Sequence, residues 1–151
     1  MRPSKIKNYM DLAETVAARS PDEETKVGVL LINNKTGAIL ATGYNGFVRG
    51  ADDEHLPRTR PLKYEYMIHG EMNLLINCAK HGISTEDCYL VSTMTPCKLC
   101  MRLMVNAGIT GVVAKEKYRD FEEILHMQDV SVEWQVGDEG FYEIKYCPRP
   151  G

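Results

Sequence analysis

The stretch His69-Gly70-Glu71-Met72-Asn73, with Pro96-Cys97-Lys98-Leu99-Cys100 downstream of it, decides how this chain is expected to fold. Apolar residues follow each stretch at helical spacing, which predicts one helix from near His69 to Gly82 and another from Pro96 to Gly108. The apolar faces are expected to be formed by Met72, Leu75, Ile76 and Ala79 in the first helix, and by Leu99, Leu103, Met104 and Ala107 in the second. Both stretches therefore stand at the starts of helices.

These helix starts carry residues that suit a metal ion. His69, Cys97 and Cys100 are ligand types that zinc prefers, and three protein ligands leave a fourth position for water, as in catalytic zinc sites. The positive end of a helix dipole stabilises the two cysteines as thiolates, the form that binds zinc. Glu71 follows the histidine by only two residues and stays free to move protons. The pattern predicts one catalytic zinc ion, with Glu71 as the catalytic residue.

A structural zinc site is the alternative interpretation of the same residues. A structural site needs a fourth protein ligand. The candidates elsewhere in the sequence are Cys78, Cys88, Cys147, His55, His81 and His126. Cys78 and Cys88 are expected in the core, since free cysteine is among the most buried residue types, and the three histidines are expected at the surface.

The chemistry of such a zinc site is hydrolytic. Zinc lowers the pKa of a bound water to about 7, and a neighbouring carboxylate can accept its proton and pass it to a ring nitrogen. Hydroxide addition to an adjacent amino-bearing carbon then expels ammonia. Gly70 carries no side chain, so its amide can approach a substrate carbonyl. The ligands, Glu71 and Gly70 together predict hydrolytic deamination, and a histidine-x-glutamate with proline-cysteine-x-x-cysteine is the signature of zinc-dependent nucleobase deaminases.

Helices and strands alternate along the rest of the chain. The pattern predicts an initial helix, then a hairpin ended by Gly43-Tyr44-Asn45-Gly46, and then helices that alternate with strands. This order predicts an α/β fold with a mixed sheet between helices. The helices are expected at 7–19 and 118–127 besides the two above, and the strands at 27–32, 38–42, 88–92, 111–114, 130–136 and 141–146. Residues 47–62 have no periodicity and are predicted to form a long binding or interface loop.

Composition limits the function classes. The 151 residues predict a single domain over 1–151, and 44% hydrophobic with 26% charged residues is ordinary for a globular protein. A net charge of −3 offers no broad footprint for a nucleic acid polymer. Five cysteines do not indicate a disulfide framework, and no apolar run is long enough for a signal peptide or a membrane span. We therefore expect a cytoplasmic protein without membrane contact.

The ordered motifs resemble the deoxycytidylate deaminase branch of the zinc-dependent cytidine deaminase superfamily, from about Ala13 to Tyr118. The resemblance rests on five segments in this order: Lys26-Val27-Gly28, Gly43-Tyr44-Asn45-Gly46, His69-Gly70-Glu71-Met72-Asn73, Pro96-Cys97-Lys98-Leu99-Cys100 and Ala107-Gly108-Ile109. It implies a three-layer α/β/α sandwich with about five strands. It also implies conversion of dCMP to dUMP and usually a homohexamer, activated by dCTP with magnesium and inhibited by dTTP.

The resemblance also implies binding residues. Asn45 is the candidate for the sugar, and Lys26 and Tyr118 stand where groups near the 5′-phosphate are expected. Arg119 is a further phosphate candidate, because an arginine suits phosphate oxygens. The effector is expected at Gly43, Tyr44, Asn45, Gly46 and Arg49, with Arg58, Arg60 and Lys63 adding positive charge to the loop.

Two departures from the family pattern and several alternatives bear on these expectations. The family usually has alanine where Gly70 stands. Some members bind a second zinc through their long loop, but residues 47–68 here contain no cysteine and only His55, which predicts one zinc per chain.

The alternative substrates are dCTP, cytidine, guanine or a tRNA adenosine, and the last is disfavoured by the acidic chain with one tryptophan. A nonenzymatic nucleotide sensor is the alternative of another class.

Overall fold

The computed structural model describes residues 3–137 and 139–147, which build a six-stranded mixed sheet with helices on both faces. The strand order is β2-β1-β3-β4-β6-β5, and β3 and β4 are parallel, whereas the other neighbours are antiparallel. The elements are α1 (Pro3–Ala17), β1 (Gly28–Asn33), β2 (Ile39–Tyr44), a 3-10 turn (Leu62–Glu65), α2 (Gly70–His81), β3 (Cys88–Met94), α3 (Lys98–Asn106), β4 (Ile109–Glu116), α4 (Phe121–Leu125), β5 (Val132–Val136) and β6 (Tyr142–Tyr146).

Strand β1 shows how the layers form. Its side chains alternate between the two faces of the sheet, as the twofold period of a strand requires. Val29 and Leu31 belong to the core that α2, α3 and α4 cover, whereas Leu30 and Ile32 pack with Tyr9 and other residues of α1. All four are buried because helices cover both faces of the sheet. The predicted three-layer α/β/α sandwich is confirmed.

The structure corrects three details of the predicted elements. The sheet has the six strands that the sequence pattern predicts rather than the about five that the resemblance implies, because β5 and β6 form an antiparallel hairpin that adds to the outer side of β4. Strand β2 runs through Gly43 and Tyr44, where the glycine-rich segment was expected to end it. The helix expected over 118–127 is only Phe121–Leu125. The predicted ends of β2 and α4 were wrong because the structure of the glycine and aromatic residues in these segments depends on contacts with distant elements.

The apolar faces predicted for α2 and α3 are partly wrong. Ile76, Leu99 and Leu103 are 56%, 53% and 39% exposed, respectively. Of the predicted residues, Met104 is buried in the core and Met72, Leu75 and Ala107 pack against it. Side chains that were not predicted enter the core as well, namely Leu74 and Cys78 of α2 and Cys100 and Met101 of α3. Each helix therefore presents apolar side chains to solvent as well as to the sheet.

Gly43 allows α2 to pack closely on β2. A Cβ atom at this position would lie 2.5 Å from the Gly70 carbonyl oxygen and 2.8 Å from the Leu74 Cβ atom. Both distances are too short for a side chain, and one obstacle is backbone at the start of α2. Because Gly43 has no side chain, α2 can pack close to β2. This close packing determines where His69 and Glu71 lie relative to the sheet.

Replacing Gly43 with alanine is expected to destabilise the fold by about 1–3 kcal/mol, the usual cost of overpacking a close contact. Urea unfolding followed by circular dichroism measures the change. Gly137→Ala is the matched control, because a Cβ atom there would meet its nearest neighbour, the Phe141 oxygen, at an ordinary 3.7 Å. Equal stability of the two variants would show that α2 does not depend on this close approach.

Two observations bear on the surroundings of the protein. No helix within 3–137 or 139–147 combines the length and the apolar character needed to cross a bilayer. All five cysteines lie within these residues, and each of them is a free thiol.

Candidate metal centre and active-site cleft

The starts of α2 and α3 bring the three predicted ligands together. His69 is the residue before α2 and has an extended backbone, with φ −64° and ψ 151°. Cys97 holds the same position before α3, and its sulfur accepts a hydrogen bond from the Cys100 amide at 3.4 Å. Extended backbone at these positions turns the side chains away from the helix axes. The ligands consequently share the space between two helix ends.

The distances within this group fit a tetrahedral zinc ion. The Nδ1 atom of His69 lies 3.3 Å from the Cys97 sulfur and 3.5 Å from the Cys100 sulfur. Zinc bonds of ordinary length in a tetrahedron place nitrogen and sulfur ligands about 3.5 Å apart. The group includes no other histidine, cysteine or acidic ligand among the residues that the structure describes. The side chains thus supply three ligands, as a catalytic site requires, and the structural alternative lacks its fourth.

The protonation states of these groups also favour a metal. Cys97 has a lowered pKa, first because Cys100 donates a hydrogen bond to its sulfur and then because His69 does the same. The hydrogen bond to Cys97 and burial raise the pKa of the Cys100 thiol. The hydrogen bond with Cys97 raises the pKa of His69. The three side chains are thus in hydrogen-bond contact around one point, as ligands that converge on a single cation would be.

Glu71 lies beside this group without being part of it. Its side chain is in the first turn of α2 and is 5% exposed. Burial raises the pKa of its carboxyl group, because a charged carboxylate is poorly solvated inside a protein. A raised pKa makes the protonated form more accessible, which suits a group that must both take and return a proton as a general acid and base.

His69, Cys97 and Glu71 line a cleft that contains about 610 Å³ of space, open solvent at its mouth included. Besides His69, Glu71 and Cys97, the cleft is lined by Asp22, Thr25, Val27, Asn45, Arg60, Lys63, Tyr64, Met67, Gly70, Met94, Thr95 and Tyr118. Its walls come from the loop before β1, the end of β2, the segment before α2 and the loops after β3 and β4.

The structure brings together only some of the predicted substrate residues. Asn45, Gly70 and Tyr118 line the cleft. Lys26 is exposed, and its ammonium donates a hydrogen bond to the Ser20 carbonyl oxygen rather than lining the cleft. Arg119 is also exposed and stands at the rim.

Asn45 is held firmly in the cleft wall. Its Nδ2 atom donates to the Thr25 carbonyl oxygen at 2.9 Å and to Asp22 Oδ2 at 3.3 Å. Its Oδ1 atom accepts from the Val27 amide at 2.8 Å. These bonds use both hydrogens of the amide and leave one lone pair on the oxygen. Asn45 can therefore accept a hydrogen bond from a ligand hydroxyl but has no hydrogen left to donate.

Two arginines and two tyrosines form the rim of the cleft. The Tyr64 hydroxyl oxygen accepts hydrogen bonds from Arg60 Nε at 2.7 Å and from an Arg119 guanidinium nitrogen at 3.4 Å. The Arg119 guanidinium also lies over the rings of Tyr64 and Tyr118, 5.0 Å and 5.3 Å from their centroids. Two guanidinium groups thus converge at the mouth of the cleft.

Sequence reasoning missed several residues of the cleft. Asp22, Thr25, Met67, Met94 and Thr95 line it, but none belongs to a recognisable motif. Lys63 was expected to meet a triphosphate, yet it is 3% exposed and pairs with Asp22. The proline and acidic residues around Asp22 gave no signal, because its partners lie far along the chain.

The predicted effector segment divides between core and surface. Gly43 is buried beneath α2, and Gly46 pairs with Ile68 through an isolated bridge. Tyr44 is half-buried and Arg49 is exposed. Only the last two offer side chains to a ligand outside the cleft.

The zinc-binding region of this chain matches a known family. Residues 3–116 match the model described as the cytidine and deoxycytidylate deaminase zinc-binding region. The chain belongs to this deaminase family. The matched residues include all three ligands and Glu71, so the match covers the metal centre described above.

Two named relatives and one solved structure are similar to this chain. The deoxycytidylate deaminase of Mus musculus is 34% identical over 122 residues, which cover 76% of this chain and 67% of the relative. ComE operon protein 2 of Bacillus subtilis is 30% identical over 150 residues, or 91% of this chain and 74% of the relative. A crystal structure of dCMP deaminase from cyanophage S-TIM5, in complex with dCMP and dUMP, matches with a TM-score of 0.70. That structure is 30% identical and covers 83% of this chain and 93% of its own.

Proposed function

We propose that this deaminase converts dCMP and water to dUMP and ammonia. The observation that carries the proposal is the group of His69, Cys97 and Cys100, two of which line a cleft together with Glu71. The similarity to deoxycytidylate deaminases supports the cytosine nucleotide as substrate. Water replaces the amino group at C4 of the ring, so no oxidant or second substrate is needed.

The residues of the chain divide the chemistry between them. His69, Cys97 and Cys100 would hold one zinc ion, which supplies hydroxide at neutral pH by lowering the pKa of water. Glu71 accepts the proton that the water releases and delivers it to N3 of the cytosine ring. The same carboxylate then takes the proton of the hydroxyl group added at C4 and transfers it to the amino group, so that the C4–N bond breaks, ammonia leaves and the C4 carbonyl of dUMP forms. The Gly70 amide at the start of α2 is free to hydrogen bond the ring carbonyl.

The nucleotide is oriented by the walls and rim of the cleft. Asn45 accepts a hydrogen bond from a sugar hydroxyl through its remaining lone pair. Tyr118 borders the path from the ring to the phosphate, and Arg60 and Arg119 meet the phosphate at the rim. Their guanidinium groups converge on the Tyr64 hydroxyl, whose oxygen stands where a phosphate oxygen would make similar bonds. Lys26 is a weaker candidate for binding the phosphate, because its ammonium donates a hydrogen bond to the Ser20 carbonyl oxygen.

Arg119→Ala is expected to raise KM for dCMP by about tenfold, because a charge-assisted hydrogen bond to the phosphate is lost. The KM for deoxycytidine, which has no phosphate, should change by less than about twofold. Steady-state kinetics on both substrates measure the difference. Lys80→Ala is a control, since Lys80 is an exposed residue in the last turn of α2, away from the cleft. Equal changes in KM for dCMP and deoxycytidine would show that Arg119 does not recognise the phosphate.

The activity itself is tested by ammonia release from dCMP with zinc-loaded protein. Parallel reactions contain dCTP, cytidine or deoxycytidine as the substrate. Turnover that is fastest on dCMP supports the proposal. Turnover confined to dCTP or cytidine would support zinc-dependent deamination but would show that dCMP is not the substrate. No turnover on any of these compounds would favour a nucleotide sensor.

Regulation and assembly form the second part of the proposal. Activation by dCTP with magnesium and inhibition by dTTP follow from the family resemblance, with the half-buried Tyr44 and the exposed Arg49 as the effector-segment side chains that can meet a ligand. The apolar residues Ile76, Leu99 and Leu103 support assembly into a homohexamer, because association would bury them. A cytoplasmic location agrees with the free thiols of all five cysteines. Adding each effector to the dCMP reaction, and measuring mass by light scattering, tests these points.

A further inference from the structure

A buried ion pair joins two walls of the cleft. The Lys63 ammonium lies 2.9 Å and 3.1 Å from the two carboxylate oxygens of Asp22, and each side chain is 4% exposed. Lys63 belongs to the 3-10 turn before α2, and Asp22 belongs to the loop before β1. Both residues line the cleft that contains His69 and Glu71.

Fold stability alone does not account for this pair. Removing two charges from water is costly, and apolar residues of similar volume often replace a buried ion pair without loss of stability. The surrounding contacts show a more specific effect. Asp22 Oδ2 also accepts from Asn45 Nδ2, and Asp22 Oδ1 accepts from the amides of Glu24 and Thr25 at 2.8 Å and 3.0 Å. One carboxylate therefore orients Asn45 and shapes the loop on which Thr25 stands.

The lysine acts on the other wall. Lys63 is followed directly by Tyr64, whose hydroxyl meets both rim arginines. A second carboxylate, Glu24, lies 3.5 Å from the Lys63 ammonium and also pairs with Arg60. Moving Lys63 would consequently shift Tyr64 and the rim along with the 3-10 turn.

We propose that the Asp22–Lys63 ion pair positions the nucleotide pocket, fixing the Asn45 amide on one wall and the turn that carries Tyr64 on the other. This role rests on the proposed function, because it concerns how the same cleft holds its nucleotide. Neither Asp22 nor Lys63 belongs to the group of metal ligands, so the pair affects substrate affinity rather than the chemical step. Neither residue is a catalytic residue.

A pair of variants separates this role from a purely structural one. The double variant Asp22→Asn with Lys63→Met removes both buried charges and keeps an acceptor for the Glu24 and Thr25 amides. The amino group of the new side chain then faces the Asn45 Nδ2 donor, so the hydrogen bond that orients Asn45 is lost. We expect a melting temperature near the wild-type value, one zinc per chain, a kcat within about threefold and a KM for dCMP raised about tenfold.

Asp22→Asn alone is the second variant, because it is isosteric and leaves Lys63 the nearby Glu24 carboxylate. Its KM for dCMP should rise in the same way. Lys115→Met serves as the control for loss of a paired lysine, since Lys115 forms an exposed ion pair with Glu14. The control is expected to match the wild type in KM, kcat and melting temperature.

Binding of dUMP, measured by calorimetry on zinc-loaded protein, gives a readout that does not need turnover. Its dissociation constant should rise about tenfold in the double variant and in Asp22→Asn. Unchanged KM and unchanged dUMP affinity in folded variants would overturn the positioning role, as would a loss confined to kcat. Wild-type protein that binds dUMP but does not deaminate dCMP would instead refute the proposed function and leave the binding comparison valid.

Discussion

Replacing Glu71 with glutamine is expected to lower the turnover of dCMP by about 10²–10⁴-fold, the range that general acid–base catalysis contributes. Glutamine has nearly the same shape but cannot accept and return a proton. Because Glu71 is not among the three metal ligands, zinc content should stay near one per chain. Ammonia release and metal analysis on the same preparation measure both quantities.

A matched control separates proton transfer from local disturbance. Glu65→Gln makes the same change on an exposed residue of the 3-10 turn and should leave kcat unaltered. A Glu71→Gln protein that loses its zinc would assign Glu71 to the metal, and one that keeps full turnover would end its role in proton transfer.

The second large effect is expected from Cys100→Ser, which should lower zinc affinity by more than about 100-fold and abolish turnover. A hydroxyl is a poor replacement for a thiolate, and only His69 and Cys97 would remain as ligands. Competition with a coloured chelator measures the affinity. Cys147→Ser is the control, since Cys147 is a half-buried free thiol outside the ligand group, and it should keep one zinc.

The number of zinc ions is tested in the same experiment. The wild-type protein should contain one zinc per chain, because the described residues offer a single group of ligands. Two zinc ions per wild-type chain, or full zinc content in Cys100→Ser, would contradict the site as described.

The group of candidate metal ligands was predictable from the sequence because its signals are local. His69, Cys97 and Cys100 each stand next to a helix start, and helix starts are marked by short patterns of polar, proline and apolar residues. The convergence of those two starts required the fold. Alternating helices and strands predicted a sheet with helices on its faces, and helices beginning on the same side of such a sheet bring their first residues close together.

The cleft wall was less predictable because its contacts connect distant residues. Asp22 and Lys63 are separated by 41 positions, and each reads as an ordinary surface charge. Lys63 became buried because the fold supplied a carboxylate for it, which no local pattern records. The residues of the Asn45 segment were identified through the family resemblance, but the bonds that fix the amide were visible only in the structure.

The apolar pattern misled on α2 and α3 for a different physical reason. Periodicity reports that a helix face is apolar, but it does not say what covers that face. Ile76 and Leu99 were assigned to the core, and the structure exposes both. A second error concerned Gly43, which reads as a strand breaker, whereas it stays in β2 and makes room for α2.

The two helix starts at the metal centre also determine its charge balance. With zinc bound, the two thiolates would offset the charge of the ion, and the Glu71 carboxylate would be a further negative charge next to a neutral metal group. That carboxylate lies in the first turn of α2, where the helix dipole favours an anion. The start of α2 thus holds the ligand His69 and also compensates in part, through the helix dipole, for the poor solvation of the Glu71 carboxylate. A buried group that can carry protons is thereby stabilised beside the proposed metal.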